Sequence, residues 1–211
     1  MQNIEDLLNN LANLDALHDF EAIQKLRENL IANFPESDEA VEAQYRLGLD
    51  FLFRQRDIQL AMKSFEAAVN RKHAYWSPAA RTSLGLCYYH QKRTQKAFFE
   101  LRRVAFIAEP TIHSVTALTF LDNIYTETGD TEEASRARTE RIKQLEKLVH
   151  KNTEPSKKLS ARGHYLFQLA VAYRDDGRDI DAKKFLEEAR DLGPETLGAD
   201  LYRAVIDMLK S

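Results

Sequence analysis

An all-α fold of stacked antiparallel helical hairpins is what this 211-residue sequence predicts. A signature recurs: Leu47-Gly48, Phe51 and Ala61 return as Leu84-Gly85, Tyr88 and Ala97. They return again as Leu121, Tyr125 and Ala134, and once more as Leu169-Ala170, Tyr173 and Ala182. The aromatic position steps by 37 residues from 51 to 88, by 37 from 88 to 125, and by 48 from 125 to 173. Self-similarity at a period of about 34–40 residues marks an α-solenoid, in which each unit buries its apolar face by stacking on its neighbours. Seven Gly and five Pro are few, which suits long helices joined by short turns.

Taken in order, Leu7, Leu8, Leu11 and Leu14 form a first apolar stripe at helical spacing. Asp15 or Asp19 offers a cap for a second helix carrying Phe20, Ile23, Leu26, Leu30 and Ile31. Pro35 stops that helix, since proline cannot continue it without losing a hydrogen bond. Residues 3–34 thus read as a degenerate N-terminal hairpin that lacks the signature. The next hairpin has helices over 39–55 and 59–71, and its connection at 54–58 is one residue longer than in later units. Pro78 opens a third hairpin at a first-turn position, with helices over 78–91 and 94–108, closed by Pro110. A fourth spans 111–128 and 131–151 and turns at Gly129-Asp130-Thr131, where glycine permits a left-handed backbone. Its long second helix, followed by a loop at 152–158, accounts for the 48-residue step. The fifth spans 159–175 and 179–191, turns at Gly177 and ends at Pro194. Residues 195–210, with Leu197, Leu201, Val205 and Leu209, read as a capping helix over the last apolar face. The expectation is one domain over 1–211, with recognisable repeats at 39–194.

Composition narrows the function classes. No run of about 18 apolar residues predicts a membrane span. The N-terminus, Met1-Gln2-Asn3-Ile4-Glu5-Asp6, is acidic and does not read as a secretory signal. The single Cys87 has no internal disulfide partner, and its place among Leu84, Leu86 and Tyr88 predicts a buried, inert thiol. A cytoplasmic location is the resulting expectation. The net charge of −3 is unevenly spread: residues 1–50 hold 11 acidic and 3 basic side chains, a net −8, whereas residues 51–110 hold 4 and 11, a net +7. This pattern allows solvated faces, a handle for an acidic partner, or head-to-tail association of copies into a homo-oligomer.

The recurring residues resemble tetratricopeptide repeats, which pair two antiparallel helices per unit. The last unit fits best, with Leu169, Ala170, Tyr173, Gly177, Ala182, Leu186, Ala189 and Pro194. The unit with Leu84, Gly85, Tyr88, Ala97, Leu101 and Val104 fits nearly as well. The unit with Leu47, Gly48, Phe51, Ala61, Phe65 and Ala68 carries the one-residue insertion and there also resembles the Sel1-like variant. The unit with Leu121, Tyr125 and Ala134 departs from the pattern: Asp122 replaces the small residue, and Arg138 and Arg141 replace apolar ones. Its second helix is therefore expected to be more exposed, or to pack on something outside the chain. The junction from Phe34-Pro35-Glu36 to Leu47-Gly48 is similar to bacterial envelope-assembly repeat proteins, a pointer to bacterial origin.

The resemblance implies a right-handed solenoid of about five hairpins and a cap, non-enzymatic, whose first helices line a concave groove for a partner protein. Carried over residue by residue, the groove would contain Tyr45, Leu49, Leu52 and Phe53, then Thr82, Leu86, Tyr89 and His90, then Thr119, Asn123 and Thr126, then Phe167, Val171 and Arg174. It lacks the Lys, Arg and Asn of the family's carboxylate-clamp subset. The expected partner is an apolar or amphipathic segment with acidic character, steered by a basic band at Arg54, Arg56, Lys92 and Arg93. The alternative is that the N-terminal hairpin covers Tyr45, Leu49 and Phe53, since large apolar patches are uncommon without a partner.

Chemistry-bearing motifs are missing from the sequence. The six His show no metal-ligand spacing with Cys or carboxylates, and no Gly-rich phosphate loop or nucleophile elbow appears. Asp175, Asp176, Asp179 and Asp181 flank Gly177 and read as turn and cap residues. No cofactor is expected. The basic stretch at 51–110, interleaved with Tyr and His, raises nucleic acid as a partner, but the acidic flank at 1–50 argues against a polyanion.

Overall fold

The computed structural model describes residues 3–17, 19–151 and 159–210. Among these there are twelve α-helices and no strand. They pack in consecutive pairs, and the chain divides into two compact units between Val104 and Ala105. The first unit holds α1 (Ile4–Leu17), α2 (Phe20–Asn33), α3 (Asp38–Phe53), α4 (Ile58–Asn70), α5 (Trp76–His90) and nearly all of α6 (Thr94–Ala105). The second holds α7 (Ile112–Thr128), α8 (Thr131–Lys151), α9 (Leu159–Asp175), α10 (Asp179–Asp191), α11 (Pro194–Leu197) and α12 (Ala199–Lys210).

Helix starts follow from side chains that satisfy the first backbone donors. Asp19, the second of the two candidates, accepts from the Ala22 amide, Ser37 from Ala40, and Asp57 from Gln59 and Leu60. Thr111 and Ser114 cap one another reciprocally at the head of α7.

The hairpin turns explain part of the repeat signature. Each aromatic position lends its backbone carbonyl to the turn that follows. Tyr88 accepts from the Arg93 amide at 2.9 Å, Tyr125 from Asp130 at 2.8 Å and Tyr173 from Arg178 at 2.8 Å, each five residues on. Phe51 accepts from Asp57 at 2.8 Å, six residues on, because this turn holds the extra residue. The turns pass through left-handed backbone at Gly129 and Gly177, but at Arg56 (φ 57°) and Lys92 (φ 60°) in the first two. Non-glycine residues held there cost roughly 1 kcal/mol.

Small residues let helices approach closely. Ala61, Ala97, Ala134 and Ala182 are fully or almost fully buried. At Gly48 a Cβ would sit 2.4 Å from the Phe65 ring, and at Gly85 it would sit 2.8 Å from Leu101. In the second unit Leu145, Leu166, Leu169, Tyr173, Leu186 and Val205 share one core, and Tyr173 stacks on Phe185 with centroids 5.4 Å apart.

Several boundaries differ from expectation, and α3 ends at Phe53 rather than at 55. Helix α5 begins at Trp76, two residues before Pro78, which still lies in the first turn where it lacks only a dispensable donor. Helix α6 ends at Ala105 rather than at 108. Pro194 opens α11 instead of closing a hairpin, and Gly198 (φ 78°) breaks the capping segment into α11 and α12. The expected loop at 152–158 lies outside the described residues.

The unusual fourth hairpin is also not what the sequence led us to expect. Arg141 is buried, and its guanidinium meets Asp175 of α9 at 2.8 Å and Thr119 Oγ1 of α7 at 3.4 Å. Arg138 lies 3.5 Å from Asp122. The two residue types that break the repeat pattern therefore compensate each other inside the unit. Burial pushes the Asp122 carboxyl above its ordinary value, and Arg138 and Arg141 pull it back. Beside this network, Gln144 is buried and donates to the Ala105 carbonyl at 2.7 Å, while the Ser114 hydroxyl donates to Gln144 Oε1 at 2.6 Å. Gln144 and Ser114 thus acquire the partners that buried polar groups require, whereas the buried Nε atoms of Arg138 and Arg141 make no hydrogen bond.

Candidate functional site

The candidate partner-binding positions of the first unit lie on α3 and α5, which touch each other. Leu49, Leu52, Leu86 and Tyr89 are half-buried, His90 is exposed, and Phe53 is 72% exposed at the end of α3. Tyr89 meets the His90 ring edge-on at 5.7 Å. The periodicity that places alternate turns of α3 and α5 against α4 leaves these residues at the margin of the packed face.

Tyr45 is different. It is 9% exposed, with its ring 5.9 Å from Phe65 and 5.6 Å from Trp76. Its side chain belongs to the stack joining α3, α4 and the start of α5. Burial raises its phenol pKa, and a hydrogen bond with Ser83 opposes the shift. Trp76, also packed edge-on against Tyr75 at 4.8 Å, completes that stack. Thr82 is likewise buried and donates to the Pro78 carbonyl at 3.1 Å.

The N-terminal hairpin grips the end of α3 without covering Phe53. Arg27 of α2 is buried against Asp50, Gln24 accepts from Gln55 at 2.8 Å, and the Arg54 guanidinium lies 3.4 Å from the Phe20 ring centroid.

The four residues of the basic band are not equivalent. Arg54 is bound to Asp50 at 2.9 Å, so its charge is partly spent inside the unit. Arg56 is exposed in its turn. Lys92 lies 6.0 Å from the Tyr89 ring and Arg93 lies 4.7 Å from the Tyr88 ring. The cation–aromatic pattern continues along α6, where Arg102 rests on Phe98 and Arg103 on Phe99. Charge counting missed this pairing, although the four-residue spacing of 98 to 102 and 99 to 103 signals it.

In the second unit, Asn123 is exposed on α7, and Phe167 packs from α9 against that unit's core. Arg174 does not join Phe167. It stands at the far end of α9, 3.9 Å from Asp179, in a cleft of about 270 Å³ shared with Lys183, Leu186, Met208 and Leu209.

Cys87 is buried, and burial pushes its thiol up to about 11, so it holds its proton at neutral pH. Among the described residues no group of His, Cys, Asp or Glu is placed to hold a metal ion, and no helix is long and apolar enough to cross a membrane.

No protein-family model and no curated relative matches the sequence. Solved structures do resemble it. BtubC (BKLC) from P. vanneervenii is 11% identical with a TM-score of 0.59, over 93% of this chain and 82% of that one. A putative kinesin light chain from Podosopora anserina with nearly identical TPR-like repeats is 17% identical with a TM-score of 0.51, over 94% and 100%. YrrB, described as a TPR protein with an unusual peptide-binding site, is 15% identical with a TM-score of 0.52, over 97% and 92%. At these identities the likeness is one of fold. The fold is that of the tetratricopeptide-like solenoids, as the recurring signature led us to expect. Nothing in the likeness bears on the Sel1-like variant.

Proposed function

We propose that this tetratricopeptide-fold chain is a non-enzymatic protein-interaction module that holds a segment of a partner protein against its first helices. The observation that carries this reading is the row Leu49, Leu52, Phe53, Leu86 and Tyr89 on α3 and α5, all apolar or aromatic and all at least partly exposed. Side chains of this kind at the margin of two packed helices suit an amphipathic helix or a segment bearing Leu or Phe. YrrB's described peptide-binding site, on a chain of similar fold, supports the same reading. Asn123, Phe167 and Arg174 are the positions of the second unit that the repeat pattern makes equivalent, Asn123 and Arg174 polar and Phe167 apolar. Arg56, Lys92 and Arg93 would steer an acidic partner, an effect weakened by salt. A cytoplasmic site of action belongs to this proposal.

Leu49→Asp together with Tyr89→Asp should abolish capture of partner proteins from the native host's lysate while helicity is retained. Unchanged capture would remove these helices as the site. The charge contrast between residues 1–50 and 51–110 favours a second reading, a self-assembling scaffold. It requires an oligomer that dissociates as salt is raised, and a monomer at every concentration would eliminate it.

A further inference from the structure

We propose that the exposed face of α6 is a second docking surface, fitted to an acidic protein segment that carries one aromatic or large apolar side chain. Five arginines of the first unit are spent internally: Arg27, Arg46, Arg54, Arg71 and Arg81 each lie against a carboxylate. Lys92, Arg93, Lys96, Arg102 and Arg103 do not. Among the described residues none of these five has a carboxylate at ion-pair distance, and each instead lies over an aromatic ring. Arg103 sits 4.5 Å from the Phe99 centroid and Arg102 5.7 Å from Phe98. Arg93 and Lys96 sit 4.7 and 5.6 Å from Tyr88, and Lys92 sits 6.0 Å from Tyr89. Lys96, Phe99 and Arg103 recur at helical spacing and are all exposed. Lys96 and Phe99 line an open cleft of about 400 Å³ together with Tyr88, Gln95 and Glu100.

A cation resting on a ring keeps its outer donors free for an incoming carboxylate and loses little side-chain freedom when one arrives. Glu100 is the one acidic residue between positions 92 and 104, and Arg81 of α5 engages it. The surface therefore presents net positive charge around the exposed edge of Phe99, and its complement is negative charge around an apolar side chain.

A nucleic acid fits less well. Base stacking needs an open ring face, and Arg103 occupies one face of Phe99. Glu100 and Glu66, which accepts from the Tyr88 hydroxyl at 3.3 Å, would also oppose a continuous row of phosphates. The surface centres on Lys96, Phe99 and Arg103 of α6, none of which belongs to the row proposed on α3 and α5.

The test is fluorescence anisotropy with labelled synthetic peptides of about a dozen residues, at low and high salt. One probe is rich in Asp and Glu with a central Phe. A second replaces the acids by Asn and Gln, a third replaces the Phe by Ala, and a fourth is a single-stranded oligouridine of equal length. Saturable binding of the first probe is expected, roughly tenfold or more tighter than the second or third and weakening steeply with salt. Lys96→Glu with Arg103→Glu should abolish it, and Phe99→Ala should weaken it several-fold. These positions are exposed, so both variants should keep the wild-type circular dichroism spectrum. Leu49→Asp should leave this binding intact. Equal binding of the neutral peptide, indifference to the charge reversal, or tighter binding of the oligouridine would each overturn the proposal.

Discussion

Replacing Gly48 by Ala tests the packing argument where it is sharpest. The added methyl would lie 2.4, 2.6 and 3.0 Å from three atoms of the Phe65 ring, and that ring is completely buried. A rigid ring cannot retreat as a flexible chain end can, so helices α3 and α4 must separate or the ring must leave its rotamer. Overpacking of this kind costs about 1–3 kcal/mol. The better helix propensity of Ala returns about 1 kcal/mol. A contact as close as 2.4 Å with a fully buried ring belongs at the top of that range, so net destabilisation should be about 2 kcal/mol, or roughly 4–8 °C in melting temperature for a chain of this size. Urea unfolding followed by circular dichroism reads this directly. Gly85→Ala should cost less, because its obstacle is the end of the Leu101 side chain. Trimming the obstacle should rescue the first variant: Gly48→Ala with Phe65→Leu should be less destabilised than the sum of the single changes. A neutral or stabilising Gly48→Ala, or strict additivity of the pair, would refute the close approach of α3 and α4.

Four further outcomes follow from the buried groups. Arg141→Ala should cost about 1–3 kcal/mol because it empties a buried site and strips Asp122 of a cation, while the half-exposed Asp175 can turn to water, whereas Arg136→Ala, whose partners Glu132 and Glu133 are on the surface, should cost under about 1 kcal/mol; urea midpoints compare them. Asp122 has a raised native pKa, so the native state takes up this proton before the unfolded state does as pH falls. Its penalty is thus present at neutral pH and relieved on acidification, and the deficit of Arg141→Ala should shrink in acid; a deficit independent of pH would contradict this. Gln144→Leu should cost about 1–3 kcal/mol by leaving the Ala105 carbonyl without its donor, measured by the same unfolding. Cys87 should resist a thiol reagent at neutral pH until denaturant is added, and rapid labelling of the native chain would oppose the burial that raises its pKa.

The hairpins were readable in the amino-acid sequence because helical packing imposes a local period. A small residue at 48 or 85 and an aromatic at 51 or 88 are required within one hairpin, so they recur at fixed offsets. The turn chemistry was half readable. Gly129 and Gly177 announce left-handed backbone, but Arg56 and Lys92 adopt it without any compositional sign. What escaped sequence reading was long-range compensation. Asp122, Arg138 and Arg141 read as three defects because their complementarity depends on Asp175 and on the packing of α7, α8 and α9. The same limit applies at the candidate site. Helical offsets place Tyr45 beside Leu49 and Phe53, yet it is packed between Phe65 from α4 and Trp76 from α5, and neither contact is visible in the offsets. On α6, the cations were legible as charge, while the rings beneath them emerge from i to i+4 geometry once the helix is formed.

The central claim, that α3 and α5 hold a partner segment, is tested most directly by hydrogen–deuterium exchange of the chain alone and in complex with a protein captured from its host. The account predicts slowed exchange over residues 45–53 and 82–90 on binding, lost again in the Leu49→Asp, Tyr89→Asp variant. A complex that leaves exchange in both segments unchanged would contradict it.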